Sequence, residues 1–123
     1  SSAIIVEPTS LSKADGKYYA LIIGISSYDS SDLNLDRPAN DALEFKKIIA
    51  KNYEFDEANI FTLLNPTRAQ ILFTLFSFRK KLTPIDNLLI FYAGHGYWDA
   101  DANQGYWWPR DASPLNPSNW LSN

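Results

Sequence analysis

Two runs of this chain are apolar at almost every position: Tyr18-Tyr19-Ala20-Leu21-Ile22-Ile23-Gly24-Ile25 and Asn87-Leu88-Leu89-Ile90-Phe91-Tyr92-Ala93. A strand with one wet face alternates polar and apolar residues. A strand covered on both faces reads as a continuous apolar run, the habit of parallel sheets flanked by helices. The segments between the two runs supply the crossovers. Over 39–52 the residues Ala42, Phe45, Ile48 and Ile49 recur at helical spacing, with Pro38 at the first turn and Asp41 and Glu44 where the helix dipole favours acid. Residues 59–64 read as a short strand that Asn65-Pro66 ends. Thr67 and Gln70 then form a capping box opening a helix to Leu82, with Ile71, Leu75, Phe78 and Leu82 on one stripe and Leu72 and Phe76 beside it. Strand, helix, strand, helix, strand in that order predicts right-handed crossovers. All three strands then point their carboxyl ends at one edge, where the loop over 26–36 meets whatever follows Ala93.

The fold class is therefore α/β, a mostly parallel central sheet with flanking helices in a three-layer sandwich. Residues 1–16 mix Ser, Pro, Thr and Gly without periodicity and are expected to form a partly disordered approach segment, with order beginning at Lys17. Residues 17–123 form one domain or part of one. Gly105-Tyr106-Trp107-Trp108-Pro109 reads as a short strand or hairpin arm, and Ser118-Asn119-Trp120 as the cap of a helix that the chain does not complete. The sheet is expected to be incomplete within these residues, which would leave an unpaired edge in need of a companion.

A net charge of −3 gives no basic face, so nucleic acid is not an expected partner. No stretch approaches the ~20 apolar residues of a membrane span, so no membrane partner is expected and a cytoplasmic location is. The chain has no cysteine, which excludes disulfides and thiolate metal sites within it. Its single histidine, His95, stands between Gly94 and Gly96 just past the second apolar run, where the strand is expected to give way to a polar loop. An isolated histidine is more often a satisfied core or surface group than a catalyst. Its position at the carboxyl end of a buried strand is where open α/β sheets gather chemistry.

The first strand with Asn40-Asp41-Ala42 after it, then Asp86-Asn87-Leu88-Leu89-Ile90-Phe91-Tyr92-Ala93-Gly94-His95-Gly96, then Gly105-Tyr106-Trp107-Trp108-Pro109, resembles the catalytic domain of bacterial caspase-like cysteine peptidases, relatives of metacaspases. The resemblance covers roughly residues 17–123, and its sharpest element is the strand ending in Gly-His-Gly. It implies a caspase-like sandwich and a Cys-His dyad whose cysteine lies at the end of the next parallel strand, on a Cys-bearing segment downstream of Asn123. This chain then looks like the amino-terminal part of such a domain, inactive alone. The resemblance assigns His95 as the catalytic base and the Gly96 N–H as an oxyanion donor. It matches Asp41 to the acidic residue that receives a basic substrate side chain, giving cleavage of peptides or proteins after Arg or Lys. Arg37 offers the opposite reading, cleavage after acidic residues, and Ala93 is counted with these substrate-binding residues. No cofactor is expected. Calcium, which metacaspases often need, has only Asp99, Asp101 and Asp111 to bind it here, and spacing alone makes them solvated loop charges.

Two readings from other classes stand beside this one. The first is a catalytically inactive interaction or regulatory domain of the same fold. The second is an unrelated nucleotide- or flavin-binding domain, disfavoured because the loops after Ile25 and Leu64 carry no glycine-rich phosphate cradle.

Overall fold

A computed structural model describes residues 16–52 and 54–123, and the backbone of 2–8. Its elements are β1 (Ser2–Pro8), β2 (Tyr18–Gly24), α1 (Pro38–Ala50), β3 (Ile60–Leu64), α2 (Arg68–Lys81), β4 (Asn87–Asp99), β5 (Gln104–Trp107) and β6 (Leu121–Ser122). Strands β3, β2 and β4 run parallel in that spatial order, with Gly24 level with both Leu64 and Ala93. The two crossover helices cover opposite faces. Along β2 the alternation of side chains sorts the core: Ala20 and Ile22 meet Ala42 and Ile49 of α1, while Leu21 and Ile23 meet Ile71 and Phe78 of α2. The runs over 19–23 and 88–93 are apolar at every position because each face of the sheet has its own helix. The result is the predicted three-layer α/β architecture.

The capping box is formed as read, Thr67 accepting from the Gln70 amide and the Gln70 side chain from the Thr67 amide. Pro38 opens α1, where its missing N–H costs nothing. On α2 the predicted stripe turns Ile71 and Phe78 inward, while Leu72 and Phe76 stay largely exposed.

Three expectations differ from the structure. First, part of the stretch read as an approach segment is a strand: β1 pairs antiparallel with β4, from Ser2 opposite His95 to Pro8 opposite Leu89. The free edge of β4 offers a row of unpaired amides and carbonyls, and a run containing Ile4, Ile5 and Val6 favours an extended pairing there. Residues 9–15 of that stretch lie outside the described residues. Second, β4 does not end at Ala93. It continues through Gly94-His95-Gly96 to Asp99, because its distal half exchanges partners and forms an antiparallel hairpin with β5, Gly96 opposite Trp107 and Asp99 opposite Gln104. Third, Ser118 and Asn119 open no α-helix. They lie in a single 3-10 turn capped by Asn116, and the chain then adds β6 to the hairpin, Leu121 opposite Trp107.

At the end of β2, a methyl group added to Gly24 would lie 2.7 Å from both the Ala42 Cβ and the Pro38 carbonyl oxygen. The residue lets the first turn of α1 sit directly on the sheet edge. Gly24→Ala is expected to cost about 1–3 kcal/mol through this overpacking, whereas Ile48→Ala, at a position 66% exposed, should stay within about 0.5 kcal/mol of the parent. Urea unfolding midpoints of the two variants check this.

Candidate active site

The loops at the carboxyl edge are tied together before any side chain with chemistry is placed. Asn65, directly after β3, adopts a left-handed backbone (φ 53°) and turns its side-chain oxygen onto the amides of Ser26 and Ser27, at 2.8 and 3.0 Å. Asparagine tolerates that conformation, which suits it to this corner. Arg110 joins a third segment: its Nε donates to the Asn65 carbonyl (2.9 Å), its amide to the Pro66 carbonyl, and its guanidinium meets Asp29 at 3.0 Å. The loop over 26–36 is closed on itself as well, Leu35 N–H donating to the Ser26 carbonyl and Tyr28 N–H to the Asn34 side chain.

This loop grips His95 at two points. The imidazole Nε2 lies 2.7 Å from the Leu33 carbonyl oxygen. A carbonyl only accepts, so Nε2 carries the proton and the lone pair of the neutral ring is on Nδ1. The His95 amide donates to the Tyr28 hydroxyl at 2.9 Å, and the Tyr28 ring packs edge-on to the imidazole. From the sheet side the Tyr92 hydroxyl donates to the His95 carbonyl at 2.7 Å, and the Trp108 amide donates to the same oxygen. His95 is 8% exposed, with the Trp108 ring beside it.

Gly94 has an internal reason to lack a side chain. A Cβ there would lie 2.7 Å from the Tyr92 hydroxyl oxygen and 3.1 Å from that of Tyr28. Gly96 is half-buried and opposite Trp107 in the hairpin ladder.

Asp41 lies in the first turn of α1, and Arg37 is that helix's N-cap residue. Their side chains face each other at 3.9 Å, the carboxylate 32% and the guanidinium 84% exposed. The two alternative specificity residues are thus paired with one another. The same helix start is joined to the histidine's loop, because the Ala39 amide donates to the Ser26 hydroxyl at 2.8 Å. Ala93 is in the core on the α1 face, with its carbonyl taken by the Ile25 amide, so its side chain packs against the interior rather than lining an open surface. Asp99 caps the β4–β5 turn through the amides of Asp101 and Ala102, and Asp111 accepts from the Arg68 amide at the start of α2. Among the described residues, no three acidic or histidine groups gather as a metal site, and no helix is long and apolar enough to cross a membrane.

The aromatic residues after His95 divide. Trp107 stacks on Tyr92 at 4.7 Å inside the core, while Tyr97 and Trp98 are largely exposed. Sequence reading missed Tyr28, Tyr92, Asn65, Arg110 and the Leu33 carbonyl. Asn65-Pro66 carried a signal, an asparagine at a strand end, but it was legible only as a stop.

A parallel α/β sheet, covered on both faces, with one histidine held between two glycines at its carboxyl edge, defines the structural class. The caspase-domain family of peptidases matches residues 17–122. Two curated relatives, the proteins named metacaspase-1 in two strains of the fungus Cryptococcus neoformans var. neoformans serotype D, are each 33% identical over 107 residues. That match takes in 77% of this chain and 23% of each relative, so the chain spans about a quarter of their length. The chain belongs to the caspase-domain family.

Burial pushes the Tyr92 phenol far above its ordinary pKa, with the neighbouring Tyr28 adding to the rise. Burial also raises Tyr28, against the lowering effect of the His95 amide and Tyr92. The folded chain therefore holds protons that an unfolded tyrosine releases near pH 10. Their stabilising contribution is fully present below about pH 10 and is lost as pH rises above it. Melting temperatures measured in steps from pH 7 to 11 should fall at the alkaline end, and Tyr92→Phe should make that fall shallower.

Proposed function

We propose that this chain carries the imidazole half of a cysteine endopeptidase, with His95 as base and a thiol supplied by a cysteine-bearing segment of the same protease. The observation that carries this reading is the Nε2 contact with the Leu33 carbonyl, which holds His95 in the tautomer whose basic nitrogen is Nδ1. In the proposed reaction Nδ1 takes the thiol proton and the thiolate attacks the peptide carbonyl carbon. The resulting oxyanion accepts from the Gly96 amide and from the nucleophile's own amide. The imidazolium then gives its proton to the departing amine, and water, deprotonated by the same ring, hydrolyses the thioester to release acid and thiol. The sequence contains no cysteine, so in this reading these residues alone do not turn over substrate. The substrates are peptides or proteins, and the setting is the cytoplasm.

Within this reading, Asp41 selects Arg or Lys before the scissile bond. Its carboxylate is the less exposed member of the pair with Arg37. An exposed ion pair of this kind is worth at most about 1 kcal/mol, so a substrate cation displaces the mobile Arg37 cheaply. An acidic substrate would have to draw Arg37 away while facing Asp41. A second reading, an inactive interaction domain, draws on the absence of cysteine and is separated from the first by the same assay.

In the protease assembled with its cysteine-bearing segment, His95→Ala should lower cleavage of Arg- and Lys-containing peptides by roughly 100- to 10,000-fold, with the circular dichroism spectrum preserved. Turnover near the parent rate would overturn the assignment. Asp41→Ala should reduce cleavage after basic residues about tenfold or more relative to cleavage after neutral ones; an unchanged ratio removes Asp41 from the pocket.

A further inference from the structure

Tyr28 and Tyr92 come from opposite sides of His95 and meet in front of Gly94. Two contacts link them to the histidine's backbone: the His95 amide donates to the Tyr28 oxygen, and the Tyr92 hydroxyl donates to the His95 carbonyl, with the Trp108 carbonyl as a second acceptor at 3.1 Å. Both tyrosines are buried, Tyr92 completely.

Packing does not explain the two hydroxyls. Phenylalanine fills the same space, and a buried hydroxyl is costly unless its bonds are made. Gly94 is needed for the same pair, since a side chain there would strike both oxygens. What the two bonds accomplish is local: they fix the amide and the carbonyl of one residue, and so the direction of its Cα–Cβ bond. The Leu33 carbonyl then fixes the ring about the remaining torsions. Leu33 and Tyr28 belong to the same loop, closed by the Asn34 side chain on the Tyr28 amide.

We propose that Tyr28 and Tyr92 are positioning residues for His95, a phenol pair that holds its backbone at both ends so that the imidazole keeps the Nε2–H form and its orientation toward the reacting thiol. This rests on the reading of His95 as the base. It adds that the aim of the base is set by two side chains from separate strand ends, neither of which touches substrate.

The test has one arm that needs no peptidase activity. Long-range nitrogen–proton NMR spectra of the imidazole in this chain should show the Nε2–H tautomer in the parent and a mixture of tautomers in Tyr28→Phe and Tyr92→Phe, with the melting transition retained. Tyr92→Phe is the safer variant, because the Trp108 amide still satisfies the His95 carbonyl. It decides the matter if Tyr28→Phe does not fold. A folded variant whose tautomer and ring signals match the parent overturns the proposal. In the second arm, the assembled protease bearing Tyr92→Phe should lose about tenfold or more in kcat with KM unchanged, as expected when only the aim of a catalytic group is lost. An equal loss through KM alone also overturns it. Should the assembled protease cleave no peptide while the tautomer still shifts in the variants, the peptidase reading fails and the positioning of His95 stands.

Discussion

Strand β4 takes part in three ladders, with β2, β1 and β5, and the rest of the molecule is arranged around the place where it passes from the first two to the third. Up to Ala93 it is a central parallel strand beside β2, and from Gly96 onward it is one arm of an antiparallel hairpin with β5. His95 falls between those two pairings, opposite Ser2 at the end of the ladder with β1. A strand in mid-sheet has its amide and carbonyl taken by neighbours, but at this junction they go to side chains and to the next turn instead: Tyr28 on the amide, Tyr92 and the Trp108 amide on the carbonyl. The histidine is held by side chains and by the next turn as well as by its place in the sheet, a suitable mounting for the proposed base. A carbonyl orients the imidazole and fixes its tautomer, and the Tyr28 ring packs against its edge.

Much of the scaffold was legible in the sequence because its determinants are local and periodic. The doubly apolar runs specified parallel strands, and the Thr67–Gln70 box specified the start of α2. What was not legible depended on partners distant in sequence. The extension of β4 through His95 is decided by β5, and a glycine-flanked histidine looks like a loop when no partner strand is in view. The pairing of Ser2–Pro8 follows from a free sheet edge, a property of the assembled sheet rather than of those residues. Asn65 and Tyr28 lie 39 and 67 positions from the groups they hold. Tyr28 in particular sits in a polar loop, where one tyrosine among Ser, Asp and Asn carries no periodic signal. The flanking glycines were read as places of close approach, and for Gly94 the close approach is of two phenols from the protein itself.

The separate stapling of the edge loops has a consequence for how the site responds to change. Asn65 holds the start of the histidine's loop, Arg110 holds Asn65 and Asp29, and the Ser26 hydroxyl holds the first turn of α1, where Asp41 lies. The proposed base and the proposed specificity carboxylate are therefore both attached to the same ten-odd residues of loop, one through Leu33 and Tyr28, the other through Ser26. Neighbours in one hydrogen-bond network do not contribute additively. A substitution at Asn65 loosens both attachments at once and should resemble a combined loss of aim and selectivity, whereas Asp41 lies at the far end of the network from the imidazole and should affect selectivity alone. The coupling runs through hydrogen bonds at 2.7–3.0 Å that join the loop to β3, to α1 and to His95.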